Sequence, residues 1–129
     1  MKIAIFHDYF GAIGGGDRVV LMMAEFLNAD IITTDTDALG KMNPAVRVIS
    51  LGPTPKYRGY KQIAAFLKFY LCDFSNEYDV FIFSGNWAHY ASRRHRPNLW
   101  YCHTPVRAFY DLYHLFLSRL NILERQEFR

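Results

Sequence analysis

Two short segments hold the residues best suited to chemistry. The first runs His7-Asp8-Tyr9-Phe10-Gly11-Ala12-Ile13-Gly14-Gly15-Gly16-Asp17-Arg18, joining an imidazole, a carboxylate and a phenol to a run of glycines. Glycine lacks a Cβ, so such a run lets the backbone come close to a ligand. A helical pattern begins directly after it. The unpaired N–H groups and positive dipole end of a helix start make an anion site, suited to a phosphate. A plain turn from strand to helix is the competing reading.

The second segment is Trp100-Tyr101-Cys102-His103-Thr104-Pro105-Val106-Arg107. Here a histidine leaves a strand and a proline fixes the turn. His103 is placed to hydrogen-bond a hydroxyl or to act as an acid or base near neutral pH. Arg107, at a helix start, suits a phosphate or carboxylate held through two N–H groups. A histidine satisfied by local backbone is the alternative. His7 ends the first strand, either packed or facing the same crevice, whereas His89, His95 and His114 read as solvated or interfacial. No histidine pair with a third partner has metal-site spacing, so no metal is expected.

The pattern of elements must position these segments. Lys2–His7 reads as a short buried strand, followed by a helix over Asp17–Leu27 that is apolar on several faces and therefore expected to be well covered. Strands follow at Asp30–Thr34 and Val46–Leu51, then a helix at Tyr60–Phe74 and a strand at Asp79–Phe83. A short helix after Ser84-Gly85-Asn86, a strand at Asn98–Cys102 and a last helix at Arg107–Glu124 complete the chain. Strands alternating with helices imply βαβ units, and strands without polar alternation imply a parallel sheet covered on both faces. The expected class is α/β, a Rossmann-like parallel sheet with helices on both sides. Ligands of such sheets bind beyond the carboxyl ends of the strands, which is where both segments fall.

Composition excludes several classes. The 129 residues suffice for one domain, and with 51% hydrophobic against 21% charged residues the chain is not disordered. A net charge of +3 is too mild to imply nucleic acid. Aromatic residues reach 17%, which suggests surfaces meant to be covered. Cys72 and Cys102 lack metal spacing and fit a reduced, cytoplasmic location. No apolar run approaches the roughly 18 residues of a membrane span. A dinucleotide fingerprint fails, because after Gly14 and Gly16 its third glycine position is Val19. Asp35 does lie about where a ribose-binding acid would be, but within a polar loop. Cations and aromatics mix in Lys56-Tyr57-Arg58-Gly59-Tyr60-Lys61 and on through Phe66, Lys68, Phe69 and Tyr70. These suit a helix packed on the sheet with a solvated basic edge, with peripheral contact to an anionic membrane as the alternative. The group Arg93, Arg94, His95, Arg96 reads as a solvated loop, with contact to an acceptor phosphate or a membrane as the alternative.

Taken together, the strand ending His-Asp-Tyr, the Gly-Gly-Gly-Asp-Arg-Val-Val helix start and the later Tyr-Cys-His-Thr-Pro-Val-Arg with Tyr110-Asp111-Leu112-Tyr113 resemble family 4 retaining glycosyltransferases of the GT-B fold, in particular mannosyltransferase-like members. The resemblance spans nearly the whole chain. It implies an acceptor-side, Rossmann-like N-terminal domain over 1–129, incomplete, with the donor-binding domain absent. It implies sugar transfer from a nucleotide-sugar donor to a glycan or lipid-linked acceptor, without a metal or other cofactor. Carried over position by position, Gly14, Gly15 and Gly16 approach the donor's pyrophosphate, His103 lines the reaction centre, and Asp8, Tyr9 and Arg107 face the acceptor. The isolated chain is expected to be inactive and prone to self-association through its last, apolar helix. A non-catalytic half of a split enzyme and, less favoured by the glycine spacing, a nicotinamide-binding domain are the rivals.

Overall fold

The computed structural model describes residues 1–11, 14–41, 44–57, 59–101 and 114. Five strands, β1 (Ile3–His7), β2 (Asp30–Thr33), β3 (Val48–Ser50), β4 (Val80–Ser84) and β5 (Asn98–Tyr101), form one all-parallel sheet in the order β3-β2-β1-β4-β5. Among the described residues, the α-helices α1 (Gly15–Leu27) and α2 (Tyr60–Leu71) cover it. Short 3-10 turns occupy Leu39–Lys41 and Ala88–Arg93. The fold is thus the expected Rossmann-like α/β class.

Strand parity divides the core. Ala4, Phe6, Ile32, Phe81 and Phe83 point to one face and pack with Phe69 of α2 and with Ala88 and Ala91. Ile5, Ile31 and Ile82 point to the other face and pack with Val20, Leu21 and Ala24 of α1. β1, β2 and β4 are buried on both sides and contain the longest apolar runs. Each fully buried Phe or Ile contributes on the order of 1.5–3 kcal/mol, so these central strands dominate stability.

Local signals explain the helix ends. Gly14 precedes α1 in extended conformation, and its N–H donates to the Asp17 carboxylate at 2.8 Å. That contact sets an acid at the positive end of the helix dipole. Asn28 ends α1 with φ 52°, in the left-handed region that its short polar side chain tolerates. α1 starts two residues before the expected Asp17, inside the glycine run, and α2 stops at Leu71, before the expected Phe74.

Two expectations are corrected. α1 buries one face only: Met22 and Phe26 are 67% and 90% exposed. The apolar residues on its outer side belong to a second stripe that no described residue covers. His95 is not solvated but fully buried. Its Nε2 accepts from the Phe74 N–H at 2.8 Å, and its Nδ1 lies 2.6 Å from the Ala91 carbonyl, to which it donates, among the rings of Phe6 and Phe81. Of the expected last helix only His114 is among the described residues, where it is helical and exposed.

Candidate functional site at the carboxyl edge of the sheet

The chain leaves β1 toward β2 on one side and returns from β3 to β4 on the other. The strand order therefore reverses between β1 and β4, and the turns after these two strands border a crevice. Parity aims His7 at the same face as Ile5, toward α1. There its Nε2 lies 2.6 Å from Asp17 Oδ1, while Asp17 Oδ2 accepts the Gly14 N–H. A carboxylate only accepts, so the Nε2–H donates and Asp17 fixes both the ring and the glycine turn. The ring also packs on Phe10, at 4.6 Å between centroids. His7 is 7% exposed, and its Nδ1 is buried with no hydrogen-bond partner among the described residues. Such an orphan is uncommon in a folded protein.

Asp8 ties the two sides of the crevice together. Its Oδ2 accepts from the Asn86 N–H at 2.7 Å, and its Oδ1 accepts from the Trp87 and Ala88 N–H groups at 2.8 and 2.7 Å. The carboxylate sits where Gly85 has no side chain: a Cβ there would overlap the Asp8 carboxyl group, and Gly85 has φ +106°. Only glycine combines that backbone with that close approach. The Gly85 carbonyl in turn accepts from Trp100 Nε1 at 3.0 Å, linking the β4 turn to β5. Asp8, expected to face an acceptor, thus has its carboxylate engaged in positioning the 86–88 turn and is only 8% exposed.

Tyr9 is exposed, with Lys61 Nζ 4.6 Å from its ring centroid. The same ammonium lies 3.5 Å from Asp35 Oδ2. Asp35 is buried and also accepts the Thr54 N–H at 2.9 Å and the Thr54 hydroxyl at 2.5 Å, while its carbonyl accepts the Phe10 N–H. Burial alone would push the Asp35 carboxyl up. The Thr54 hydrogen bonds and the Lys61 charge outweigh burial and hold it below its ordinary 3.8. Asp35 thus joins the exits of β1, β2 and β3 and has little carboxylate surface left for a ribose. Its position in the sequence matched a ribose-binding acid, while its polar neighbours Thr33, Thr34, Thr36 and Asp37 suggested an ordinary loop.

Of the residues singled out from sequence, Asp8, Tyr9, Gly14, Gly15 and Gly16 all lie between the end of β1 and the first turn of α1, at the carboxyl edge. His103 and Arg107 lie outside the described residues. A Cβ on Gly15 would meet nothing within 4 Å, so the first turn of α1 is open there. Three roles were not foreseen: Asp17 as the orienting acid, Gly85 as the seat of the Asp8 clamp, and Asp35 as the link between strand exits. Gly85 lies in the strand exit Ser84 to His89, which the sequence marks as facing the carboxyl edge, but the contact with Asp8 has no local signal. A cavity of about 610 Å³ lies at the opposite, amino edge, lined by Lys2, Asp30, Arg47, Glu77 and Tyr78. It lacks glycine turns and strand exits, so we assign the candidate site to the carboxyl edge. Among the described residues no three His, Cys, Asp or Glu side chains converge as metal ligands, and no helix is long and apolar enough to cross a membrane. Comparisons of the chain with protein-family models, with curated proteins and with solved structures find no match.

Proposed function

We propose that this chain is the acceptor-side domain of a retaining glycosyltransferase that takes a nucleotide-sugar donor. One observation carries the proposal: the strand order reverses beside the glycine turn at the head of α1, which is open at Gly15, where the backbone of a helix start can approach a diphosphate. The Asp17 carboxylate takes the Gly14 N–H, which leaves the diphosphate to the N–H groups further into the first turn. Tyr9 offers an exposed ring face at the same edge, with Lys61 beside it for an anionic acceptor group. The role of His103, hydrogen-bonding the transferred sugar, rests on the sequence resemblance. The nicotinamide alternative is weakened by Asp35, whose carboxylate is occupied by Thr54 and Lys61.

An ¹⁵N NMR titration of the chain with GDP-mannose, UDP-glucose and NAD tests this. Shifts at Gly14, Gly15 and Gly16 with a nucleotide sugar are expected, with weak affinity because one wall of the cleft binds alone. Shifts there with NAD but with neither sugar nucleotide would select the nicotinamide reading; no shift with any of them would end the donor-phosphate assignment. In an enzyme active in transfer, His103→Ala is expected to remove most turnover.

A further inference from the structure

Among the described residues, three buried side-chain atoms have no hydrogen-bond partner: His7 Nδ1, Thr33 Oγ1 and His89 Nδ1. The first two belong to neighbouring positions. β1 and β2 run parallel with Phe6 beside Ile32, so one step on His7 lies beside Thr33, on the face that α1 covers. The register carries this polar row across the sheet, with Ser84 beside His7 and Ser50 beside Thr33. Two residues earlier the same face is apolar, with Val48, Ile31, Ile5 and Ile82 in register. The change from apolar to polar thus falls at the carboxyl edge, under the head of α1. Thr33 is fully buried and His7 nearly so, and the buried Phe10 ring packs on the imidazole. The two orphan atoms do not bond each other, so each forfeits its hydration without return unless a third group lies between them.

We propose that β1, β2 and the head of α1 enclose a site for a single uncharged hydroxyl group, which donates to His7 Nδ1 and accepts from the Thr33 hydroxyl. The chemistry of the pair selects this occupant. The His7 Nε2–H donates to Asp17 Oδ1, so Nδ1 of the neutral ring can only accept. Whatever meets it must bring a donor. A phosphate or carboxylate without a proton has none. An ammonium could donate to both atoms, but it would bury a charge, and both Asp17 oxygens are already taken by His7 and Gly14. A hydroxyl satisfies both atoms without charge, because the Thr33 O–H can donate to it in turn. Water and the hydroxyl of a bound polyol share this chemistry. The bound group also holds the ring in its Nε2–H tautomer and, through Asp17, the Gly14 turn. None of this rests on the sugar-transfer reading.

Thermal unfolding of Thr33→Val tests the site by the sign of its effect. Removing a buried hydroxyl that meets nothing should raise stability, whereas removing one partner of a bound hydroxyl should lower it. A fall in Tm of about 4 °C is expected; an unchanged or raised Tm would overturn the proposal. NMR of the parent chain is the second test. The His7 ring nitrogens should show the Nε2–H tautomer, and the Thr33 methyl group should show cross-relaxation with a long-lived hydroxyl proton. Glycerol, added as a probe, distinguishes the sources. Persistence of the contact to the water signal identifies a bound water, and its replacement by contacts from glycerol protons to Thr33 identifies a site for polyol hydroxyl groups; either supports the proposal. The Nδ1–H tautomer, or a Thr33 methyl group in contact with neither water nor glycerol, would overturn it. If Thr33→Val fails to fold, the tautomer and contacts of the parent chain decide.

Discussion

Asp8 and Gly85 form one device. The carboxylate accepts three backbone N–H groups of the 86–88 turn and occupies the space a side chain at 85 would need. Asp8→Ala would strand those donors at a partly buried turn, and hydrogen bonds to charged groups are worth about 1.5–3 kcal/mol each, so a loss of about 3 kcal/mol or more is expected in urea unfolding. Gly85→Ala combines a disfavoured backbone with displacement of the same carboxylate and should cost about 2–4 kcal/mol. Because both changes break one clamp, the double variant should lose clearly less than the sum; strict additivity in the double-mutant cycle would show that the two residues act separately.

Asp35 makes the acid limb of stability at the same scale. Its carboxyl is held below 3.8 in the folded chain, so the unfolded chain binds more protons in that interval. The contribution is complete above the ordinary value and is lost as the pH drops below 3.8 through the lower folded value. Asp35→Asn should flatten this part of the urea-midpoint profile and leave the slope near neutrality unchanged. Cys72 behaves in the opposite sense: burial, the largest influence, pushes its thiol up to about 11, so it should react slowly with thiol reagents at neutral pH.

At the scale of elements, α1 and α2 each bury one face and leave apolar residues exposed on the other. Their inner faces were legible from periodicity, since Val20, Ala24 and Phe69 recur at helical spacing and are buried. Their outer faces were not, because an apolar residue on a short helix reads as core whichever way it points. The end of α1 is a separate matter of backbone. Asn28 adopts φ 52° and closes the helix through its own N–H and that of Ala29. Asn28→Val, β-branched in the left-handed region, should lower stability by about 1–2 kcal/mol, while Asn28→Gly should be close to neutral; thermal unfolding of both checks this. β5 is the exposed side of the sheet, with Leu99 and Trp100 more than half exposed. Its amides should exchange faster than those of β1.

At the scale of the whole molecule, two cores share the central strands. Phe6 lies in one and Ile5 in the other, so β1 cannot loosen without opening both. Amides of Ala4, Ile5, Phe6, Phe81, Ile82 and Phe83 are therefore expected to exchange slowest, near the rate set by global unfolding, in hydrogen-exchange NMR. Faster exchange in β1 than in β3 would contradict this account. The order β3-β2-β1-β4-β5 also decides where a ligand would enter, since among the described strands it reverses only between β1 and β4 and opens the crevice between their turns.

By itself the sequence determined the alternation of strands and helices, the parallel sheet with two covered faces, and the gathering of strand exits at one edge. These follow from local apolar runs, turn residues and the geometry of βαβ connection, all of which act over a few residues or through general topology. The tertiary structure alone decided which polar groups serve the fold. Asp8 and Ala88 stand 80 positions apart in the chain, yet one hydrogen bond joins them. Asp35 finds Thr54 across β2 and β3, and His95 finds its place among Phe6 and Phe81. A carboxylate or an imidazole carries the same chemistry in a site or in a clamp. What separates the two is the set of distant donors folded around it, and strand order and register, not spacing along the chain, choose that set.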